Sequence, residues 1–499
     1  MFYTSTRDKS VKVTAAEAIT NGISAEGGLF VPCEIPQVGK DFIKHLAELD
    51  YIGRAKEVLS LYLTDFTEEE IDYCVNGAYK AGKFSSEAVA PLSELKEGVD
   101  ILELWHGPTC AFKDMALQLL PYLLTTSAKK TADGKQIVIL VATSGDTGKA
   151  ALEGFKDVPS TNVLVFYPND GVSAMQKLQM CTQEGGNVRV CAIKGNFDDA
   201  QTSVKQIFTS DEIKAKLAQN NMMFSSANSI NWGRLVPQIV YYFSAYCDLL
   251  NQNKITCGDK INIVVPTGNF GNILAAYYAK EMGLPVRKLI CASNANNVLT
   301  EFLGSGFYNK ERDFYTTVSP SMDILVSSNL ERLLFHVSGD DDEFVKDCME
   351  GLSEDGHYTV DKSAFERIRG CFEGGYCDDE ATKRTIGNIY KKYNYLCDTH
   401  TAVAVTVYFD YIERTGDDTP TVIASTASPF KFSPAVLEAV GNASLIGDDG
   451  FKMMDSLSEI TSCEIPAPLA AIKSKPVRFN QVVDREEMSK VVLDMLGIE

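Results

Sequence analysis

Ile261-Asn262-Ile263-Val264-Val265-Pro266-Thr267-Gly268-Asn269-Phe270-Gly271-Asn272 runs from an apolar stretch through a glycine loop into Ile273-Leu274-Ala275-Ala276-Tyr277-Tyr278-Ala279-Lys280, a helix-compatible segment. A short run of contiguous apolar residues predicts a strand buried on both faces. The loop behind it then presents backbone N–H groups where strand and helix meet. Read alone, residues 268–272 are either an ordinary turn or a nest that binds phosphate with few cations. The same unit recurs along the chain, with buried strands predicted at 136–142, 162–167, 188–193, 289–292 and 421–424, most of them followed by a helix-compatible stretch. This alternation specifies an α/β chain with parallel sheets covered by helices on both faces, and in such folds ligands sit at the carboxyl ends of strands.

Before this pattern starts, residues 1–95 read as a mixed, mostly helical N-terminal region. A helical run opens at Phe42 and extends towards Leu63, Thr67 and Glu70 form a capping box, and Gly27-Gly28-Leu29-Phe30-Val31-Pro32 is a turn entering a short strand. Residues 300–395 are charge-rich and mainly helical, with turns at Gly339-Asp340-Asp341-Asp342 and Gly374-Gly375. A length of 499 residues predicts two or three domains, and 45% apolar content supports a large interior. The formal charge of −20 argues against nucleic acid and anionic membranes as partners, so any phosphate site must be built locally. No apolar run has membrane-spanning length and no leader is evident at the N-terminus, so a cytoplasmic protein is expected. Thirteen scattered cysteines read as buried thiols, and five histidines without ligand spacing give a metal mechanism no support.

Four further stretches carry chemistry. In His106-Gly107-Pro108-Thr109-Cys110-Ala111-Phe112-Lys113-Asp114-Met115, a loop runs into an apolar helix and sets Lys113 at its entrance. Partial cover by apolar neighbours favours the neutral amine, the form that condenses with an aldehyde, although many helix-start lysines are simply solvated. Thr143-Ser144-Gly145-Asp146-Thr147-Gly148 joins the strand 136–142 to a helix, and reads either as a carboxylate-binding loop or as a tight turn capped by Ser144 or Asp146. It lacks the spacing of a Walker loop. Ser225-Ser226-Ala227-Asn228-Ser229-Ile230-Asn231-Trp232-Gly233-Arg234 is a polar run entering an apolar helix, either solvated or a phosphate contact through Arg234. Asp398-Thr399-His400-Thr401-Ala402 starts another apolar helix with Asp398 as its cap, and His400 is a candidate acid or base.

These segments, in this order, resemble those of threonine synthases of the bacterial and fungal type, and the resemblance runs from the first residues to about Phe432. It implies two doubly wound α/β domains of pyridoxal-phosphate fold type II behind the N-terminal α+β region. The N-terminal domain would be 1–95 and the catalytic region 96–499, with its small domain at about 115–225. The resemblance makes Lys113 the lysine that holds pyridoxal phosphate as a Schiff base. It assigns Gly268, Asn269, Phe270, Gly271 and Asn272 to the cofactor phosphate, and Thr426, in Ser425-Thr426-Ala427-Ser428-Pro429-Phe430-Lys431-Phe432, to the pyridine nitrogen. Thr143, Ser144, Asp146 and Thr147 would contact the substrate carboxylate or the ring, and Ser226, Asn228 and Arg234 the substrate phosphate. Thr399, Ser428 and Phe430 depart from the family's Pro, His and Ala, while Thr426 and Lys431 stay in register. The implied reaction converts O-phospho-L-homoserine and water into L-threonine and phosphate, in a monomer or homodimer. The alternatives are a phospho-lyase releasing 2-oxobutyrate and a non-catalytic phosphometabolite sensor of the same fold.

Overall fold

The computed structural model describes the chain apart from Ser144, Gly171, Asp448 and Glu499, and apart from the side chains of Phe197 and Asp198. The strand expected at 261–265 spans Ile261–Pro266 and lies inside a six-stranded sheet. Across that sheet the order is Phe372–Tyr376, Val286–Ser293, Ile261–Pro266, Thr421–Ser425, Val99–Glu103 and Leu92–Lys96. All neighbours are parallel except the last pair. A second sheet of five parallel strands runs Val482–Asp484, Val188–Lys194, Thr161–Pro168, Gln136–Ala142 and Met222–Ser225. The chain therefore has two α/β lobes, and each of the six predicted strands is present.

The differences have local causes. Gly374-Gly375, expected as a turn, lies within the edge strand Phe372–Tyr376. A Cβ on Gly375 would come within 2.6 Å of Val407 and one on Gly374 within 3.1 Å of Thr300, so these glycines let the strand lie close to the helices Thr399–Thr415 and Val298–Ser305 on its two faces. The helical run 42–63 is two helices, Lys40–Ala47 and Tyr51–Tyr62, because Asp50 caps the second by accepting from Gly53 N. The expected boundary after residue 95 falls inside Leu92–Lys96, which pairs with Val99–Glu103 and so belongs to the large sheet. The small lobe also reaches beyond residues 115–225, since its edge strand Val482–Asp484 and the helix Met488–Leu496 come from the far end of the chain. Both carry too few contiguous apolar residues to stand out in the sequence.

The N-terminal region places Tyr3–Ser5 between Asp8–Val13 and Phe30–Pro32 in an antiparallel sheet, beside helices that include Glu68–Tyr79 with the expected capping box at Thr67. The helix Trp232–Asn251 is buried along almost its whole length and contacts the N-terminal helices as well as the helix Gly271–Glu281. Among the described residues no helix is long and apolar enough to cross a membrane.

Candidate active site

The loops that matter leave the carboxyl ends of both parallel sheets. The lysine stretch follows Val99–Glu103 and is pinned to the end of the neighbouring strand: Phe112 N donates to Thr426 O at 2.8 Å, and Ala111 bridges Ala427. Asp114 points inward and accepts from the N–H and hydroxyl of Thr109 at 2.8 and 2.7 Å, which closes the His106–Thr109 turn. Residue 107 must be glycine, since a Cβ there would sit 2.5 Å from the Asp114 side chain. The helix begunlocally at Lys113 lasts only to Leu117, and a second begins at Leu120 with Pro121 in its first turn, so the single helix expected here is split.

Lys113 Nζ lies 3.6 Å from Asp146 Oδ2 and 3.2 Å from Ser321 Oγ, with 11% of the side chain exposed. Burial pulls its pKa below the ordinary lysine value; Asp146 opposes this, while Lys431 and Arg234 add to it. Asp146 itself is buried, and burial works against its charge. Lys431 and Lys113 together outweigh that penalty and hold the carboxyl well below the usual range. Lys431 Nζ, wholly buried, lies 2.6 Å from Asp146 Oδ1 and donates to Thr109 O at 3.1 Å. Gln176 Nε2 also donates to Asp146 Oδ1, at 3.0 Å.

Ser321 joins this group from a loop between the strand Phe307–Asn309 and the helix Leu330–Ser338. Its backbone N–H donates to His400 Nε2 at 3.2 Å, so the proton of that ring resides on Nδ1 and is donated to Asp398 Oδ1 at 2.9 Å. In this arrangement the His400 ring meets the backbone of Ser321 rather than Lys113.

The glycine loop is the second centre. Phe270 takes the left-handed conformation, with φ 62°, at the entrance of the helix Gly271–Glu281. A non-glycine residue there costs about 1–2 kcal/mol, and packing of its ring against Phe372 offsets the strain. The Ser321 loop lies across the glycine loop: Ser327 Oγ donates to Gly268 O at 2.9 Å and Asn329 Nδ2 to Asn269 O at 3.1 Å. The polar run 225–234 borders it too, with Ser229 beside Gly271, as is Gln238 from the helix that follows the run. Arg332, fully buried, stitches these parts together by donating to Phe30 O, Ile230 O and Asn329 Oδ1.

Arg234 Nε and Asn272 Nδ2 are buried donors without a hydrogen-bond partner among the described residues, as are Ser225 Oγ and Trp232 Nε1 of the same polar run. Arg234 is 3% exposed and, among the described residues, its side chain donates to Ala227 O and faces no carboxylate; burial pushes its pKa down to about 10. A buried guanidinium without an anion is costly, so this arrangement calls for an anionic ligand.

The other expected residues divide. Thr143 accepts from Gly145 N and Gly148 N at 3.0 and 2.9 Å, so its hydroxyl oxygen braces its own loop. Ser226 Oγ accepts from Asn228 N at 3.1 Å and shapes the turn before Arg234. Thr147 is half-buried, Asn269 exposed, and Ser144 lies outside the described residues. Sequence reasoning missed Ser321, Asn329 and Arg332. The one local sign of Ser321 and Asn329 is the density of Ser in residues 319–329, within a region read as charge-rich and mainly helical.

This geometry matches known proteins along the whole chain. A family model described as Pyridoxal-phosphate dependent enzyme covers residues 90–426, and models described as Threonine synthase N terminus and Threonine synthase, C-terminal cover 2–79 and 401–492. The chain is 39% identical to human Threonine synthase-like 1 over 87% of its own length, while spanning 59% of that relative's length. It is 36% identical to Threonine synthase of Saccharomyces cerevisiae, over 98% of this chain and 99% of that one. The crystal structure of PLP-bound threonine synthase from Brucella melitensis superposes with a TM-score of 0.87 at 36% identity, covering 99% of each chain. On these matches, and with a buried lysine and an unpaired anion cradle in the expected segments, the chain belongs to the threonine synthase family of pyridoxal-phosphate-dependent enzymes.

Proposed function

We propose that this protein is a threonine synthase, converting O-phospho-L-homoserine and water into L-threonine and phosphate with pyridoxal phosphate bound through Lys113. The observation that carries this reading is the pairing of a largely buried Lys113 amine, its pKa lowered by burial, with the buried unpartnered donors Arg234 Nε and Asn272 Nδ2. The residues present fit the cofactor. The N–H groups of Gly268–Asn272 and the Asn272 amide would hold its phosphate, and Thr426 would offer a neutral hydroxyl to the ring nitrogen. When bound, the group supplies an electron sink that acidifies the substrate's Cα and then Cβ.

The chain's own residues then have distinct tasks. Lys113 would take the Cα proton, and its lowered pKa keeps a share of the amine neutral for that work. Asp146 holds Lys113 Nζ in place from 3.6 Å. The 143–147 loop receives the substrate carboxylate through helix-entrance N–H groups, with Thr143 bracing the backbone rather than contacting the ligand. Arg234 meets the substrate's phosphate or the cofactor's, with Ser226 and Asn228 shaping the turn beside it. Ser321, fixed by His400, keeps a hydroxyl on Lys113 throughout.

An assay with O-phosphohomoserine, following phosphate and amino-acid product together, tests the reading. Wild type is expected to release phosphate and threonine in equal amounts, and Lys113→Ala to release neither. Phosphate accompanied by 2-oxobutyrate would make the protein the phospho-lyase. No turnover and no bound chromophore would leave it a scaffold of the same fold.

A further inference from the structure

The Asn272 carboxamide has two unlike ends, and which end faces the glycine loop decides whether that loop attracts or repels a phosphate. Asn272 is the second residue of the helix Gly271–Glu281 and is 6% exposed. Its Oδ1 accepts from Tyr241 OH at 2.6 Å and from Tyr242 OH, both on the buried helix Trp232–Asn251. Its Nδ2 is the end without a partner among the described residues. We propose that Tyr241 and Tyr242 are positioning residues that lock the Asn272 amide with Nδ2 towards the cradle, making the site selective for the phosphate of its ligand.

The alternative orientation is worse on two counts. Turned over, the amide would present a carbonyl oxygen to a phosphate. The tyrosine hydroxyls would also lose their shared acceptor. Tyr241 retains Gln238 Oε1 at 3.1 Å, but no second acceptor for Tyr242 is present among the described residues. Both tyrosines are fully buried, and burial holds their pKa values well above the ordinary tyrosine value, so both remain proton donors throughout the working range. The residues on either side are consistent with an anion there. Gln238, which accepts from Tyr241 OH, donates through Nε2 to the backbone carbonyl of Arg234 at 2.7 Å, one turn earlier in the same helix. The helix that carries Arg234 thus also carries the two hydroxyls that fix the Asn272 amide.

The inference rests on the cofactor reading above, and comparing pyridoxal phosphate with pyridoxal separates the two. Affinity of the cofactor-free full-length protein for each aldehyde is measured by absorbance titration, for wild type, the Tyr241→Phe/Tyr242→Phe variant, and both on an Asn272→Ala background. Phenylalanine keeps the rings and removes only the hydroxyls. The double variant is expected to weaken pyridoxal phosphate about tenfold, the scale of one well-made hydrogen bond, and to leave pyridoxal unchanged. On the Asn272→Ala background the same two substitutions should then have no effect. Asn272→Asp gives an independent check, because its carboxylate satisfies both tyrosines yet turns an oxygen to the cradle. It should weaken pyridoxal phosphate more than the tyrosine pair does, again sparing pyridoxal. Equal weakening of both aldehydes, no weakening, or an undiminished effect without Asn272 overturns the positioning role while wild type still prefers the phosphorylated form. Absence of that preference in wild type overturns the cofactor reading itself.

Discussion

Asp114 is the residue next to Lys113 and does a different job. It is buried, and burial raises its pKa to about 6 from an ordinary 3.8, with the Thr109 hydrogen bonds pulling the other way. A carboxyl whose pKa is higher folded than unfolded contributes stability that is present below the unfolded pKa and lost as pH rises through the folded one. From pH 3.5 to 7, wild type should therefore lose about 3 kcal/mol relative to Asp114→Asn, which cannot ionise. Urea unfolding of both proteins at the two pH values measures this difference, and a constant gap would mean that Asp114 does not titrate in that window. At this scale the sequence was half legible. Lys113 and Asp146 stood out because each sits in a loop of small residues at a helix start. Ser321 did not, because what makes it matter is contact with a lysine 208 positions away and a histidine 79 positions away. The Lys431 partner of Asp146 is 285 positions distant, and no local pattern encodes such a pairing.

The glycine loop shows how one element constrains another. A Cβ on Gly268 would lie 2.5 Å from Ser321 O, a backbone atom that cannot swing aside, whereas one on Gly271 would meet nothing nearer than 3.6 Å. Gly268→Ala must push the Ser321 loop away, at a cost of about 1–3 kcal/mol, and should also move the Ser321 hydroxyl off Lys113. Gly271→Ala should leave the melting temperature where it is. Thermal unfolding of the two variants checks this contrast, and similar losses for both would show that loop strain rather than contact with Ser321 governs the site. The strands were the most legible elements, since a strand buried on both faces is a contiguous apolar run, as in Gln136–Ala142. Phe372–Tyr376 escaped notice for the opposite reason: its two glycines are unfavourable to a strand by propensity, and only close packing against two helices, through Thr300 and Val407, explains them.

At the scale of the molecule, the site exists only because two lobes meet. Asp146 follows Gln136–Ala142 of the small sheet and Lys431 follows Thr421–Ser425 of the large one, so their ion pair ties the lobes together at the reacting lysine. Both side chains are essentially without solvent contact, and without Lys431 the buried Asp146 carboxylate would keep only the more distant Lys113 amine as a compensating charge. Lys431→Met is therefore expected to destabilise the protein by about 3–5 kcal/mol, and Lys431→Met with Asp146→Asn to recover much of that loss. The substitution has a second, chemical consequence. Lys431 lowers the pKa of Lys113, so its removal should raise it. The pH midpoint for uptake of pyridoxal phosphate, which needs the neutral amine, should then move upward in Lys431→Met. Melting temperatures and uptake rates measured on the same set of variants distinguish the two effects. A stability loss without a pH shift would make Lys431 a structural tie alone, and a shift without a stability loss would mean that the lobes are held together elsewhere.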